Sequence, residues 1–171
     1  MQREKAMRLA SAVTQTDGEL VPYRQQIAVA LMSLLPDDVS AFAASPSSTA
    51  PGVWAISEGS LYQVLVNTYE REPGQNPPAQ ITCGRRPLDP GGAIVSVRER
   101  LAGRGQATVR QRRWEFILAA GEEAIVVETE QTMRGGFPDE RRPSAQEELA
   151  RALARALGFG IPSEDAGQPE Y

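Results

Sequence analysis

"RRPLDPGGAIVSVRERLAGRGQATVRQRRWEF", residues 85–116, contains two stretches, "AIVSVRERL" and "QATVRQRRWEF", in which side chains change character at every second residue. That period belongs to a strand whose two faces meet different surroundings. The turn-forming "AGRG" between them is short enough to fold the pair into a hairpin. Along the second stretch the period places Arg110 and Arg112 with Trp114 and Phe116, and Arg113 with Val109, Glu115 and Ile117. Two guanidiniums cannot lie unpaired deep in a small core, because burying a charge costs several kcal/mol. Either the strand outruns the core at its start, or a bulge near Gln111 turns the arginines over. In both cases they are expected to reach solvent beside Arg98, Arg100 and Arg104, with Glu128 and Glu130 on the following strand available for cross-strand pairing.

This basic island sits in an acidic chain. Residues 84–113 hold eight arginines and two acids, whereas the remainder holds ten basic and twenty acidic residues, for a formal net charge of −4. The imbalance weakens any reading as a nucleic-acid or anionic-lipid binder, because most of the molecule would repel a polyanion. No apolar run approaches the roughly 20 residues needed to cross a bilayer, and "MQREKAMRLASAV" lacks the apolar stretch of a signal peptide. A single cysteine, Cys83, rules out an internal disulfide and fits a reducing compartment, so a cytoplasmic location is expected.

Outward from the hairpin the chain divides into short elements. Ala6, Leu9, Ala10 and Val13 recur at helical spacing within residues 2–15, a thin stripe that predicts a loosely attached helical arm over residues 1–20. A second helix starts at Pro22, with Tyr23, Ile27, Ala30, Leu31 and Leu34 on one face, and Pro36 stops it. "VSAFAAS", "GVWAIS" and "SLYQVLVNTY" then read as strands, the last two joined by a tight turn at Glu58 and Gly59. The three prolines of "EREPGQNPPAQ" make a loop, and "AQITCGRRPL" is the strand before the hairpin. After it come a strand in "EAIVVETEQT" and a polar loop in "MRGGFPDERRP". A final helix has Ser144 and Glu147 in capping-box spacing, Leu149, Ala152, Leu153, Ala156 and Leu157 on its apolar face, and Gly158 at its end. Glu147 and Arg151 stand four apart, the spacing of an ion pair on a helix. A domain over residues 21–158 and a flexible tail over residues 159–171 complete the division. The fold class is α+β, mainly antiparallel, with about seven strands.

Several segments resemble bacterial pleckstrin-homology-like domains. "LLPDDVSAFAAS" and "PGVWAISEGSLYQVLV" look like the entry of that family, "RRPLDPGGAIVSV" is similar to a Pro-Leu, Ile and Val pattern carried here by Pro87, Leu88, Ile94 and Val97, and "WEFILAAGEEAIVVET" followed by a helix resembles its closing hairpin and cap. The resemblance covers about residues 22–158. It implies a small split barrel capped by the C-terminal helix and used for docking. The family's first turn usually carries a basic residue where this chain has Glu58, which turns the expectation away from phosphoinositide headgroups.

Chemistry is sparse. The absence of histidine removes histidine-based acid/base catalysis, Ser-His and Cys-His dyads and histidine-metal sites. Cys83, beside Arg85 and Arg86, reads first as a small apolar residue on a strand, and a nucleophilic thiolate is the minor alternative. The adjacent acids Asp37-Asp38, Glu122-Glu123 and Glu147-Glu148 are assigned to capping and solvation, since neighbours in sequence diverge in direction. Trp54 and Trp114 read as core, with an aromatic platform for bases as the alternative. No catalytic residue, cofactor or metal site is therefore assigned. The expected function is a non-enzymatic docking or adaptor module whose partner is a protein, an acidic one among the options, met by Arg98, Arg100, Arg104, Arg110, Arg112 and Arg113. The alternative is a secretion or assembly chaperone, a homodimer wrapping an extended client.

Overall fold

The computed structural model describes residues 1–16, 18–44, 51–68, 79–135, 137–138 and 144–160. Residues 70–78 of the loop read at "EREPGQNPPAQ" and all of the tail beyond residue 160 lie outside these. Helix α1 (Arg3–Thr16) turns Ala6, Leu9, Ala10 and Val13 inward, each with no exposed surface. A 3₁₀ segment, Gly18–Tyr23, leads into α2 (Arg24–Leu34). Tyr23, Ile27 and Leu31 of the expected face are buried, Ala28 and Leu35 join them, and of the other two Ala30 is half-buried and Leu34 exposed. The helix stops as expected: Leu35 is extended, the conformation that a following proline imposes.

Strands β1 (Ala41–Ala44), β2 (Gly52–Ser57), β3 (Ser60–Thr68) and β4 (Ala79–Pro87) form one antiparallel sheet in chain order. Ser57 pairs with Ser60 across Glu58 (φ 45°) and Gly59 (φ 68°). Two successive positive φ values make the two-residue turn whose twist suits a hairpin, and glycine takes the second position without a Cβ penalty. Strands β5 (Ile94–Arg104), β6 (Ala107–Ile117), β7 (Ile125–Arg134) and the two-residue β8 (Phe137–Pro138) form a second antiparallel sheet, also in chain order. β5 runs past Leu101 to Arg104, so the turn of this hairpin is Gly105–Gln106 and most of "AGRG" is strand. β8 occupies part of the expected polar loop. The α+β, mainly antiparallel reading therefore stands, with a short eighth strand. No strand of one sheet pairs with a strand of the other among the described residues, so the two sheets are not closed into a barrel.

β2 is buried along its whole length, which makes the first sheet a layer shared by two cores. Val53 and Ala55 face α1 and α2 together with Val64 and Val66 of β3. Trp54 and Ile56 face the other way, joining Leu61, Ala41 and Ala43. On that second side lies α3 (Ala145–Ala156), whose Leu149, Ala150, Leu153 and Ala154, followed by Leu157, pack between the first sheet and Trp114, Phe116 and Val127 of the second. The segment expected as a loose arm is thus part of the first core, and Lys5 Nζ also donates to the Val39 carbonyl. Among the described residues no helix is long and apolar enough to cross a membrane.

Because β2 belongs to both cores, Leu9→Ala and Leu153→Ala should each lower stability by roughly 2–5 kcal/mol and shift one common unfolding transition. Denaturant melts followed by far-UV circular dichroism and tryptophan fluorescence measure this. A separate α1 would leave the main transition of Leu9→Ala in place.

Candidate functional site

The register of β5, β6 and β7 runs without interruption, so no bulge reverses the facing of Arg110 and Arg112. Cross-strand rows follow directly. On the inner face Val97, Trp114 and Val127 form one row, Glu99, Arg112 and Thr129 the next, and Leu101, Arg110 and Gln131 the third. The strand does outrun the apolar core at its start. The expectation that these guanidiniums reach solvent is nevertheless corrected, because the side chains of Arg110 and Arg112 are only 17% and 15% exposed. The N-terminal turn of α3 lies over this end of the sheet and supplies the counter-charge.

That counter-charge is Glu147, which is 7% exposed. Its Oε1 accepts from Arg112 Nη1 at 2.8 Å and from Arg151 Nε at 2.9 Å, and its Oε2 accepts from Thr129 Oγ1 at 2.7 Å and Trp114 Nε1 at 3.3 Å. Arg112 Nε reaches Glu99 on β5 at 2.8 Å, and Arg110 stands 3.8 Å from the same carboxylate. One carboxylate thus ties β6, β7 and α3 together. Burial opposes its ionisation, but the hydrogen bonds from Thr129, Arg151 and Arg112 outweigh that cost and hold its pKa below the ordinary carboxylate value. The assignment of Glu147 to capping and solvation is corrected accordingly. Ser144 Oγ does accept from the Glu147 backbone N–H at 3.2 Å, so the cap exists, while the carboxylate turns to the sheet. A signal was present in the sequence: an arginine two residues before a core tryptophan on an inward face needs a buried acid, and the indole N–H needs an acceptor.

The outer face has the complementary rows Arg98, Arg113 and Glu128, then Arg100, Gln111 and Glu130. Arg113 is held by Glu115 at 2.9 Å and Glu128 at 2.7 Å, and these hydrogen bonds push its pKa up and that of Glu115 down. Glu130 takes Gln111 Nε2 at 3.0 Å instead of an arginine. Arg98 and Arg100 are exposed on β5 and make no ion pair among the described residues. Nothing is described of the Arg104 side chain. Around Arg98, Arg100, Gln111, Arg113, Glu128 and Glu130 lies an open depression of about 390 Å³.

The other side chains singled out for chemistry have the following surroundings. Burial pushes the Cys83 thiol above its ordinary value, against the thiolate alternative, and Arg85 is engaged with Ser60 Oγ at 3.2 Å and with the Tyr62 ring at 5.9 Å. Asp38 accepts from Ser57 Oγ at 2.6 Å, which lowers its pKa, and Glu122 pairs with Arg86 at 2.5 Å. Trp54 and Trp114 are both core residues, and Trp114 stacks on Phe116 at 6.2 Å, so no aromatic platform faces solvent there. Among the described residues no three His, Cys, Asp or Glu side chains converge as metal ligands.

Glu147→Ala strands Arg112 and Arg151 without their shared acceptor and should destabilise the fold by about 3–5 kcal/mol. Because the folded pKa of Glu147 lies below its ordinary value of 4.5, its contribution is complete above that value and is lost as pH falls through the folded one. Urea melts between pH 7 and pH 2 should show this loss in the parent chain and a shallower dependence in Glu147→Gln. Equal slopes would mean that Glu147 does not carry it.

No protein family, curated protein or solved structure matches the chain.

Proposed function

We propose that the chain is a non-catalytic docking module of pleckstrin-homology-like form, and that it meets a protein partner on the second sheet through Arg98 and Arg100. The fold side of this reading is supported by the element order: a four-stranded meander, a second meander, then a helix packed between them. The observation that carries the functional side is the sorting of the arginines. Arg110, Arg112 and Arg113 are engaged by Glu99, Glu147, Glu115 and Glu128, whereas Arg98 and Arg100 stand exposed without an ion pair among the described residues. Arginines engaged by the fold cannot be lent to a partner without breaking the lock. Those at the open edge can. Exposed charges of this kind steer and orient an encounter, and their effect falls with salt.

A second reading, the homodimeric chaperone, is favoured by one observation. Val29 and Met32 project from α2 at 62% and 40% exposure, near Val21 at 53%, on a segment whose exposed side is almost free of charge. A monomeric mass by light scattering at 100 µM would remove it.

Charge reversal at both positions, R98E/R100E, should reduce capture of the native partner from host extract by about tenfold while leaving the thermal melt unchanged. Quantitative mass spectrometry of the captured proteins reads the outcome. Undiminished capture would take the pair out of the interface.

A further inference from the structure

We propose that the free edge of β5 receives an extended acidic segment of the partner as an added antiparallel strand, with two carboxylates spaced two residues apart against Arg98 and Arg100. The inference rests on the docking reading above and names the partner's chemistry. β5 is 11 residues long and pairs with β6 on one side only; no strand among the described residues pairs with its other side. Such an edge offers a row of backbone donors and acceptors to any chain that can meet its side chains.

The side chains specify which chain that is. Across the outer face Glu128 and Glu130 on β7 stand beside Arg113 and Gln111 on β6, and these beside Arg98 and Arg100 on β5, with Glu115 of β6 diagonal to Arg98 and drawn to it. The next position outward is therefore one where a carboxylate is stabilised and an arginine is not. Same-face residues recur at every second position, so the acids must stand at i and i+2. On the inner face of the same edge Leu101 is 61% exposed. In an antiparallel arrangement the residue facing it precedes the first acid, and an apolar side chain there would cover it. Glu99, between the two arginines, is already held by Arg112 and places no demand on the residue opposite. The resulting pattern is apolar, acid, any residue, acid.

Two other occupants fit less well. A two-fold antiparallel pairing with a second copy keeps each face on its own side, and its three longest overlaps are centred on Arg98, Glu99 or Arg100. These place Arg98 opposite itself, Arg98 opposite Arg100, or Arg100 opposite itself, which like-charge repulsion disfavours. An edge charged only to repel other strands would not also expose Ile94 and Leu101 at 61% each. Nucleic acid would meet Glu128 and Glu130 on the same face as the arginines.

The test uses the full chain and a fluorescein-labelled peptide of threonine and serine with Leu-Glu-Thr-Glu at its centre. Controls are a peptide of the same composition with adjacent glutamates, a third with ladder-facing backbone nitrogens methylated, single-stranded DNA of equal length, and phosphatidylserine vesicles. The expected result is binding of the first peptide by anisotropy, weakened about tenfold or more by R98Q/R100Q, by glutamate adjacency and by N-methylation, with amide shift changes centred on residues 94–104. Absence of binding at millimolar peptide, equal affinity for the adjacent or methylated peptide, or tighter arginine-dependent binding of the DNA or vesicles overturns the proposal. If R98E/R100E still reduces partner capture in that event, strand addition falls and docking stands. If capture is also unaffected, both fall.

Discussion

Glu147 is the constraint on which the arrangement of the second core depends. Apolar burial is non-directional, so the face of α3 made by Leu149, Leu153 and Leu157 could by itself tolerate a slide or rotation against the sheets. A buried carboxylate cannot. Its two oxygens take four donors from three elements, and shifting α3 by a turn would part an ionised carboxylate from Arg112 Nη1, the Thr129 hydroxyl and the Trp114 indole N–H. The position is also favourable along the helix, since Glu147 lies in the first turn, where the unsatisfied N–H groups favour negative charge.

That lock divides the labour of the arginines. β6 carries Arg110, Arg112 and Arg113 within four residues, and the strand period sends the first two to one face and the third to the other. Inside, Glu99 and Glu147 take them up as part of the fold. Outside, Glu115 and Glu128 take up Arg113. On β5, Arg98 and Arg100 make no close ion pair among the described residues, and no described strand pairs with the outer edge of β5. The exposed arginines and the outer ladder edge therefore lie on one element, while the first sheet is covered on both sides by helices.

Much of the local structure was legible because its causes are local. The Glu58-Gly59 hairpin follows from two residues that must take positive φ, and Pro36 sets the end of α2 through its restriction of Leu35. Gly158 closes α3 as read: at φ 76° it donates to the Arg155 carbonyl and Phe159 donates to that of Ala154, satisfying the last carbonyls of the helix. The face of α2 was right at Tyr23, Ile27 and Leu31 but drawn through Ala30 because both Ala28 and Ala30 fit a helical stripe, and only the packed sheet selects Ala28. α1 looked weakly attached because small alanines give a thin stripe. Small side chains are what let a helix approach α2 and β2 closely enough to bury Leu9 and Val13 completely.

By itself the amino-acid sequence determined the helices, seven of the strands, the Glu58-Gly59 turn, the alternation that puts Arg112 beside Trp114, and the Glu147–Arg151 spacing, all of which depend on residues a few positions apart. Tertiary structure alone decided that Glu147, 35 residues beyond Arg112, is the acid that buries it, and that Arg98 and Arg100 are left facing outward. The reason is that a charge is inside or outside only with respect to what covers it. Which helix covers which end of a sheet is settled by long-range packing, to which local spacing is blind.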